Sequence, residues 1–268
     1  MKKVKELTRS IIIQKIADVL KPLDYVHAFW EGSAVAFSRI DAWSDIDIYA
    51  VVDNDKVKPT FRAVERALTS LSSIKQKYEV SQFPWPGLSQ SFYKLEDASE
   101  YLIIDLAVLN LNCQEDFLEP KIHGETVFIF NKSNQVKIPS FDAELLASRL
   151  QKRLMKLRAR FDMFHIFVQK EINRGNHLEA IDFFYTLLAI LVETLRIKYY
   201  PYHYNFKMRY IHYELPSEII MKLKNLYFVV DEKDIQKKYN ELVDWFHQVS
   251  SETNLDMLKL SDKGDLEK

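Results

Sequence analysis

The segment Asp45-Ile46-Asp47-Ile48, running on into Tyr49-Ala50-Val51-Val52, constrains the fold of this chain more than any other stretch. Acidic and apolar residues alternate with a period of two, which suits a strand and not a helix. On a strand, Ile46 and Ile48 enter a core on one face while Asp45 and Asp47 share the other. Two like charges this close repel, and burying them uncompensated costs several kcal/mol. Something positive must sit between or opposite them. A hard divalent cation meets that need, since Mg²⁺ takes one or two carboxylates together with substrate phosphates. The simpler alternative is an edge strand whose acids face solvent.

Other residues bear on that choice. Gly32-Ser33 follows the strand-like YVHAFW and opens SAVAFS, which reads as a short helix, a place where backbone N–H groups can cradle a phosphate. Eleven residues separate Ser33 from Asp45. Asp105 stands alone in YLIIDLAVLNL, where its immediate neighbours are apolar, so it needs a partner from outside its own strand. A neighbouring strand that carries a metal would supply one.

Gly32-Ser33, then Asp45-Ile46-Asp47-Ile48, then Asp105 on a later strand resembles the nucleotidyltransferase superfamily of DNA polymerase β. GSAVAFSRIDAWSDIDIY is most similar to its stand-alone bacterial and archaeal members, related to aminoglycoside and lincosamide nucleotidyltransferases. The resemblance implies an α/β (α+β) catalytic domain with a mixed sheet over residues 1–135 and an all-α bundle over 141–260 that closes the cleft. It implies Mg²⁺-dependent transfer of a nucleoside monophosphate from an NTP, most simply ATP, to a hydroxyl of a small acceptor, with pyrophosphate leaving. Asp45 and Asp47 would hold two metal ions, and Asp105 would complete the acceptor-side metal site and take the hydroxyl proton, directly or by supporting the metal that makes the hydroxyl more acidic. Gly32 and Ser33 would contact phosphates, with Ser44 beside them. Many relatives place an arginine two or three residues beyond the serine. Here those positions are Ala34, Val35 and Ala36, and Arg39 is the nearest basic residue.

The organisation along the chain agrees with two parts. An amphipathic first helix carries Ile12, Ile16, Val19 and Leu20 and ends at Pro22. KPTFRAVERALTSL has helical spacing, SFYKLEDASEYLIIDLAVL reads as two strands around a polar turn, and ETVFIF is a further strand, closing an α/β region near Lys132. NKSNQVKIPS is a linker by its breaker residues. Beyond it Leu150, Leu154, Leu157, Phe161, Phe164 and Val168 trace one helical face, and three more helices follow in NHLEAIDFFYTLLAILVETLRIKYY, PSEIIMKLKNLYFV and EKDIQKKYNELVDWFHQV. Residues 261–268 are expected to fray.

In RLQKRLMKLRAR, Arg149, Arg153, Lys156 and Arg160 share a face. They are either a solvated surface or the groups, Arg153 among them, that meet the triphosphate. YYPYHYNFKMRYIHYELP is either an acceptor pocket or packing between helices. Glu193 is expected to pair with Arg196 three residues on, the alternative being a base or substrate contact.

Composition bounds the partners. A net charge of -1 over 268 residues offers no global attraction to nucleic acid or membrane. Cys113 is the lone cysteine, so no internal disulfide forms, and a reducing cytoplasm is the expected compartment. No apolar run reaches the roughly 20 residues of a membrane span. Two further readings stay open: a nucleotide-binding or regulatory module without turnover, and a transferase whose acceptor is a protein or an RNA.

Overall fold

The computed structural model describes residues 7–81, 86–112 and 118–253; Cys113 and the tail expected to fray lie outside them. The chain divides into two compact units between Phe141 and Asp142.

The first unit is a sheet with helices. Helix α1 (Arg9–Leu20) precedes strands β1 (Val26–Glu31) and β2 (Ile46–Val52), followed by α2 (Val57–Leu71), β3 (Ile74–Glu79), β4 (Leu88–Leu95), β5 (Ile104–Asn110), the single turn α3 (Pro120–His123) and β6 (Val127–Asn131). The sheet order is β3-β4-β5-β2-β1-β6. Only the central pair β2 and β5 is parallel, and the other pairings are antiparallel, so the sheet is mixed. Period-two alternation sorts the faces. Ile46, Ile48, Ile104, Leu106 and Phe29 join Ile12 and Ile16 of α1 and Val64 and Leu68 of α2 in the main core. The opposite face is apolar at one end only, where Ala28, Trp30, Val51, Leu109 and Leu118 form a smaller cluster. Fully burying a side chain of this kind stabilises by about 1.5–3 kcal/mol, which makes the larger cluster the anchor of the sheet.

Strand β3 has no counterpart in the sequence reading. Apart from half-buried Ile74 its residues are exposed, as an edge strand of Lys, Gln, Tyr and Glu is, and nothing in it alternates apolar with polar. SAVAFS is a correction too. Residues 33–38 form turns rather than a helix. Ser33 (φ 56°) and Ser38 (φ 54°) take left-handed backbone at its two ends, which no continuous right-handed helix accommodates.

The second unit is helical: α4 (Ala143–Phe164), α5 (Ile166–Arg174), α6 (His177–Tyr199), α7 (Ile211–Glu214), α8 (Ser217–Tyr227) and α9 (Glu232–Glu252). α6 is apolar nearly all round because it packs against α4, α5 and α9. Leu150, Leu154, Leu157 and Phe161 are buried as their spacing requires. The stripe does not continue along one helix. Phe164 is exposed, and Val168 is buried from α5, beyond a break at His165, whose Nδ1 lies 2.9 Å from the Tyr239 hydroxyl. α5 ends at Gly175 (φ 77°), whose left-handed conformation suits glycine. Among the described residues no helix is long and apolar enough to cross a membrane.

Candidate active site

The parallel pairing of β2 with β5 puts Asp47 directly opposite Asp105. Register partners on neighbouring strands point to the same side about 4.8 Å apart, so both carboxylates lie on the face turned away from α1 and α2. Along that face β2 runs from Asp47 through Tyr49 to Val51, and β5 from Asp105 through Ala107 to Leu109. The acids therefore occupy the end of the face that the smaller apolar cluster leaves open.

Asp45 sits one residue ahead of β2. The Ile103 backbone N–H donates to its Oδ1 at 3.2 Å, and the Ile46 N–H donates to the Ile103 carbonyl at 2.9 Å, so the chain ahead of β2 is stitched to the chain ahead of β5. Asp105 is oriented by Gln90 of β4, whose Nε2 donates to both carboxylate oxygens at 2.7 and 2.8 Å. Gln90 carried no signal in the sequence. It is one polar residue in a mixed strand, and only the pairing of β4 with β5 brings it to Asp105.

A partly buried ion pair braces the entry to β2. Arg9, the first residue of α1, donates to the Ser44 and Asp45 carbonyls and forms an ion pair with the Glu31 carboxylate. Glu31 is 9 % exposed and closes β1, so the guanidinium ties α1, β1 and the entry to β2 together. Ser44 belongs to the same entry: its hydroxyl accepts from the Asp41 N–H and donates to Asp41 Oδ1, both at 2.9 Å.

Gly32 follows β1 directly, and its N–H donates to the Asp47 carbonyl at 3.0 Å. A Cβ at Gly32 would lie 2.9 Å from Cε2 of Tyr49, whose ring stacks on Trp30 at 5.2 Å. Packing against Tyr49 thus demands glycine here, a reason separate from room for a phosphate. Behind the 33–38 turn, the Ala36 carbonyl accepts from the Glu125 N–H at 2.9 Å and lies against Gly124 (φ 78°), where an added Cβ would approach it to 2.5 Å. Arg39 leaves the turn with its guanidinium 5.2 Å from the centre of the Phe37 ring. A cavity of about 740 Å³ opens beside α2, β3 and β4, lined by Arg62, Glu65, Lys77, Gln90 and Ser91 among others. None of the three acids lines it.

The oxygen donors on this face suit a hard cation in kind. Among the described residues no group of three or more His, Cys, Asp or Glu is gathered to hold a metal ion by itself. Mg²⁺ does not need such a cage, because it retains waters and takes one or two carboxylates with the phosphates of its substrate. Asp47 and Asp105, paired in register, fit that pattern.

Arg153 belongs to the second unit. Its Nε and Nη2 donate to the two oxygens of Glu193 at 2.5 and 2.7 Å, a bidentate pair that raises the Arg153 pKa. The expected pairing of Glu193 with Arg196 is therefore corrected. Arg196 is wholly buried and pairs with Glu214 at 2.6 Å, while Glu214 also meets His203 at 2.7 Å. Sequence spacing favours i,i+3 pairs, but Arg196 lies near the end of α6 and turns toward the segment that follows it. Arg149, Lys156 and Arg160 of the basic stripe are exposed.

No family model and no curated protein matches the chain. Solved structures are similar to it at low identity. An aminoglycoside 6-adenyltransferase from Bacillus subtilis is 14% identical with a TM-score of 0.32, over 89% of this chain and 88% of that one. A spectinomycin adenyltransferase from Enterococcus faecialis, solved with ATP and spectinomycin, is 14% identical with a TM-score of 0.36, over 90% and 100%. A nucleotidyltransferase-like protein from Exiguobacterium sibiricum is 11% identical with a TM-score of 0.38, over 88% and 75%.

Proposed function

We propose that the protein is a Mg²⁺-dependent nucleotidyltransferase that moves a nucleoside monophosphate from an NTP, ATP in the simplest case, to a hydroxyl of a small acceptor. The observation that carries this is the register pairing of Asp47 with Asp105 beside the Gly32-Ser33 turn. In the reaction the acceptor oxygen bonds to the α-phosphorus, the bond from that phosphorus to the β-phosphate bridge breaks, and pyrophosphate leaves. Such transfer needs positioning and charge neutralisation more than covalent help from the protein.

Bound Mg²⁺ supplies the neutralisation of the triphosphate and makes the acceptor hydroxyl more acidic. Asp45, Asp47 and Asp105 would hold the cation, and the Gly32-Ser33 turn with Arg39 would meet the phosphates. Asp105, its plane fixed by Gln90, would also take the acceptor proton. Glu193, engaged by Arg153 through both oxygens, is not poised as a base.

Calorimetric titration of ATP, with and without Mg²⁺, tests the assignment in wild type and in Asp45→Ala/Asp47→Ala. Metal-dependent binding that the double variant loses is expected. Equal binding by both proteins would remove the acids from the site. Metal-dependent binding without turnover on any hydroxylated acceptor would favour a binding module.

A further inference from the structure

The helical unit holds a cavity of about 390 Å³ lined by none of the residues given a role in the reaction proposed above. Its floor is apolar: Leu157 of α4 and Ile190 of α6 are buried, and Met208 lines it from the segment after α6. Its charged lining is unbalanced, with Arg153, Arg160 and Lys207 against the single carboxylate of Glu193. That carboxylate is taken at both oxygens by Arg153. Arg160 and Lys207 are exposed and form no ion pair with a described residue.

The wall carrying Lys207 and Met208 is fixed in shape. The buried Arg196 donates through Nε to the Lys207 carbonyl at 2.7 Å, also donates to the Arg209 carbonyl, and pairs with Glu214. His203, which closes the network on Glu214, stacks on Phe206 at 4.1 Å. Lys207 (φ 53°) and Tyr210 (φ 60°) both hold left-handed backbone, a strained state for side chains of their size. A buried ion network that maintains strained residues at a cavity wall is what a preformed binding site requires, because little ordering is left to the ligand.

We propose that this cavity binds a small amphipathic anion: a compact apolar body seated on Leu157, Ile190 and Met208, with one carboxylate, sulfonate or phosphate head at Arg160 and Lys207. Pockets of this size take molecules of that scale, with apolar walls and a few placed polar groups. A polycationic ligand is disfavoured, since the one lining carboxylate already has its partner and two cations stand unopposed at the rim. This site stands independently of the nucleotidyl-transfer reading.

The test is calorimetric titration of the full chain, without nucleotide, using three probes of one shape: 2-naphthoate, neutral 2-naphthamide and cationic 2-naphthylmethylammonium. Naphthoate is expected to bind about tenfold more tightly than the amide, from two partly exposed charge contacts, and the ammonium most weakly. Arg160→Glu/Lys207→Glu should abolish the preference for the anion. Ala189→Trp, at an exposed position on the cavity lining, should block all three, and Thr186→Trp is the second blocking variant should Ala189→Trp not fold. Equal binding of the three probes overturns the proposal. So does naphthoate binding that survives the blocking variant, or no binding of any probe.

Discussion

Asp105 in the first unit and Glu214 in the second are both carboxylates engaged at each oxygen, Asp105 by an amide and Glu214 by a guanidinium and an imidazole. Gln90, a neutral amide, donates to both oxygens of Asp105, and a neutral backbone N–H donates to Asp45. Glu214 pairs with the guanidinium of Arg196 inside a network whose side chains are wholly buried. A neutral donor orients a carboxylate without cancelling its charge; a guanidinium does both. The Gln90 amide fixes the plane of the Asp105 carboxylate, and the network of Arg196, Glu214 and His203 closes charge upon itself to hold a loop.

Glu214→Ala leaves Arg196 buried and uncompensated, and a loss of about 3–5 kcal/mol is expected for such a pair. Urea denaturation followed by circular dichroism reads the loss, and the helical unit should be the part that melts early. A loss below about 1 kcal/mol would mean that water reaches Arg196 and that the pair resembles a surface bridge.

Asp47→Asn probes the other arm. The substitution keeps the shape and removes one of two neighbouring like charges, so stability should hold or rise slightly. Turnover should fall by about 10²–10³, the loss seen when one preorganised charge-stabilising group is removed from a transition state. Reduced stability together with reduced turnover would make Asp47 part of a structural network instead.

Gly124→Ala sharpens the role of the turn between these extremes. A side chain at φ 78° is strained, and its Cβ would press on the Ala36 carbonyl from 2.5 Å. A stability loss of about 1–3 kcal/mol is expected for strain of this kind. The 33–38 turn must shift to relieve it, so ATP affinity should fall as well. Thermal unfolding and calorimetry on one preparation measure the two effects together.

Part of this was legible in the sequence because it rests on local periodicity. Asp45, Asp47 and Asp105 stand out as acids in apolar strands, and α1, α2 and the four long helices of the second unit follow from apolar spacing. What was hidden depends on which strands become neighbours. Gln90 gains meaning only when β4 pairs with β5, and Arg9 only when α1 packs beside the end of β1. Arg153 and Glu193 are forty residues apart in sequence, so the nearer Arg196 looked the better partner. β3 was missed because a polar edge strand has no apolar rhythm. The turn at 33–38 passed for a helix because its composition suits one, while two left-handed serines interrupt it.

A third carboxylate tests whether the kind of donor governs the outcome. Glu171, buried at the end of α5, accepts from the Asn176 amide at 2.8 Å and from Arg174. These partners hold its carboxyl below the usual glutamate range, Asn176 first. A folded-state pKa lowered in this way contributes stability that is fully present above the unfolded value and is lost as pH falls through the folded one. Asn176→Ala should therefore be less stable than wild type at neutral pH, and the gap should close as the solution is taken below the ordinary carboxylate range. Melting temperatures of both proteins at neutral and acid pH decide the matter. A gap of constant size would mean that Asn176, which also precedes the first turn of α6, acts through the helix terminus and not through the charge of Glu171.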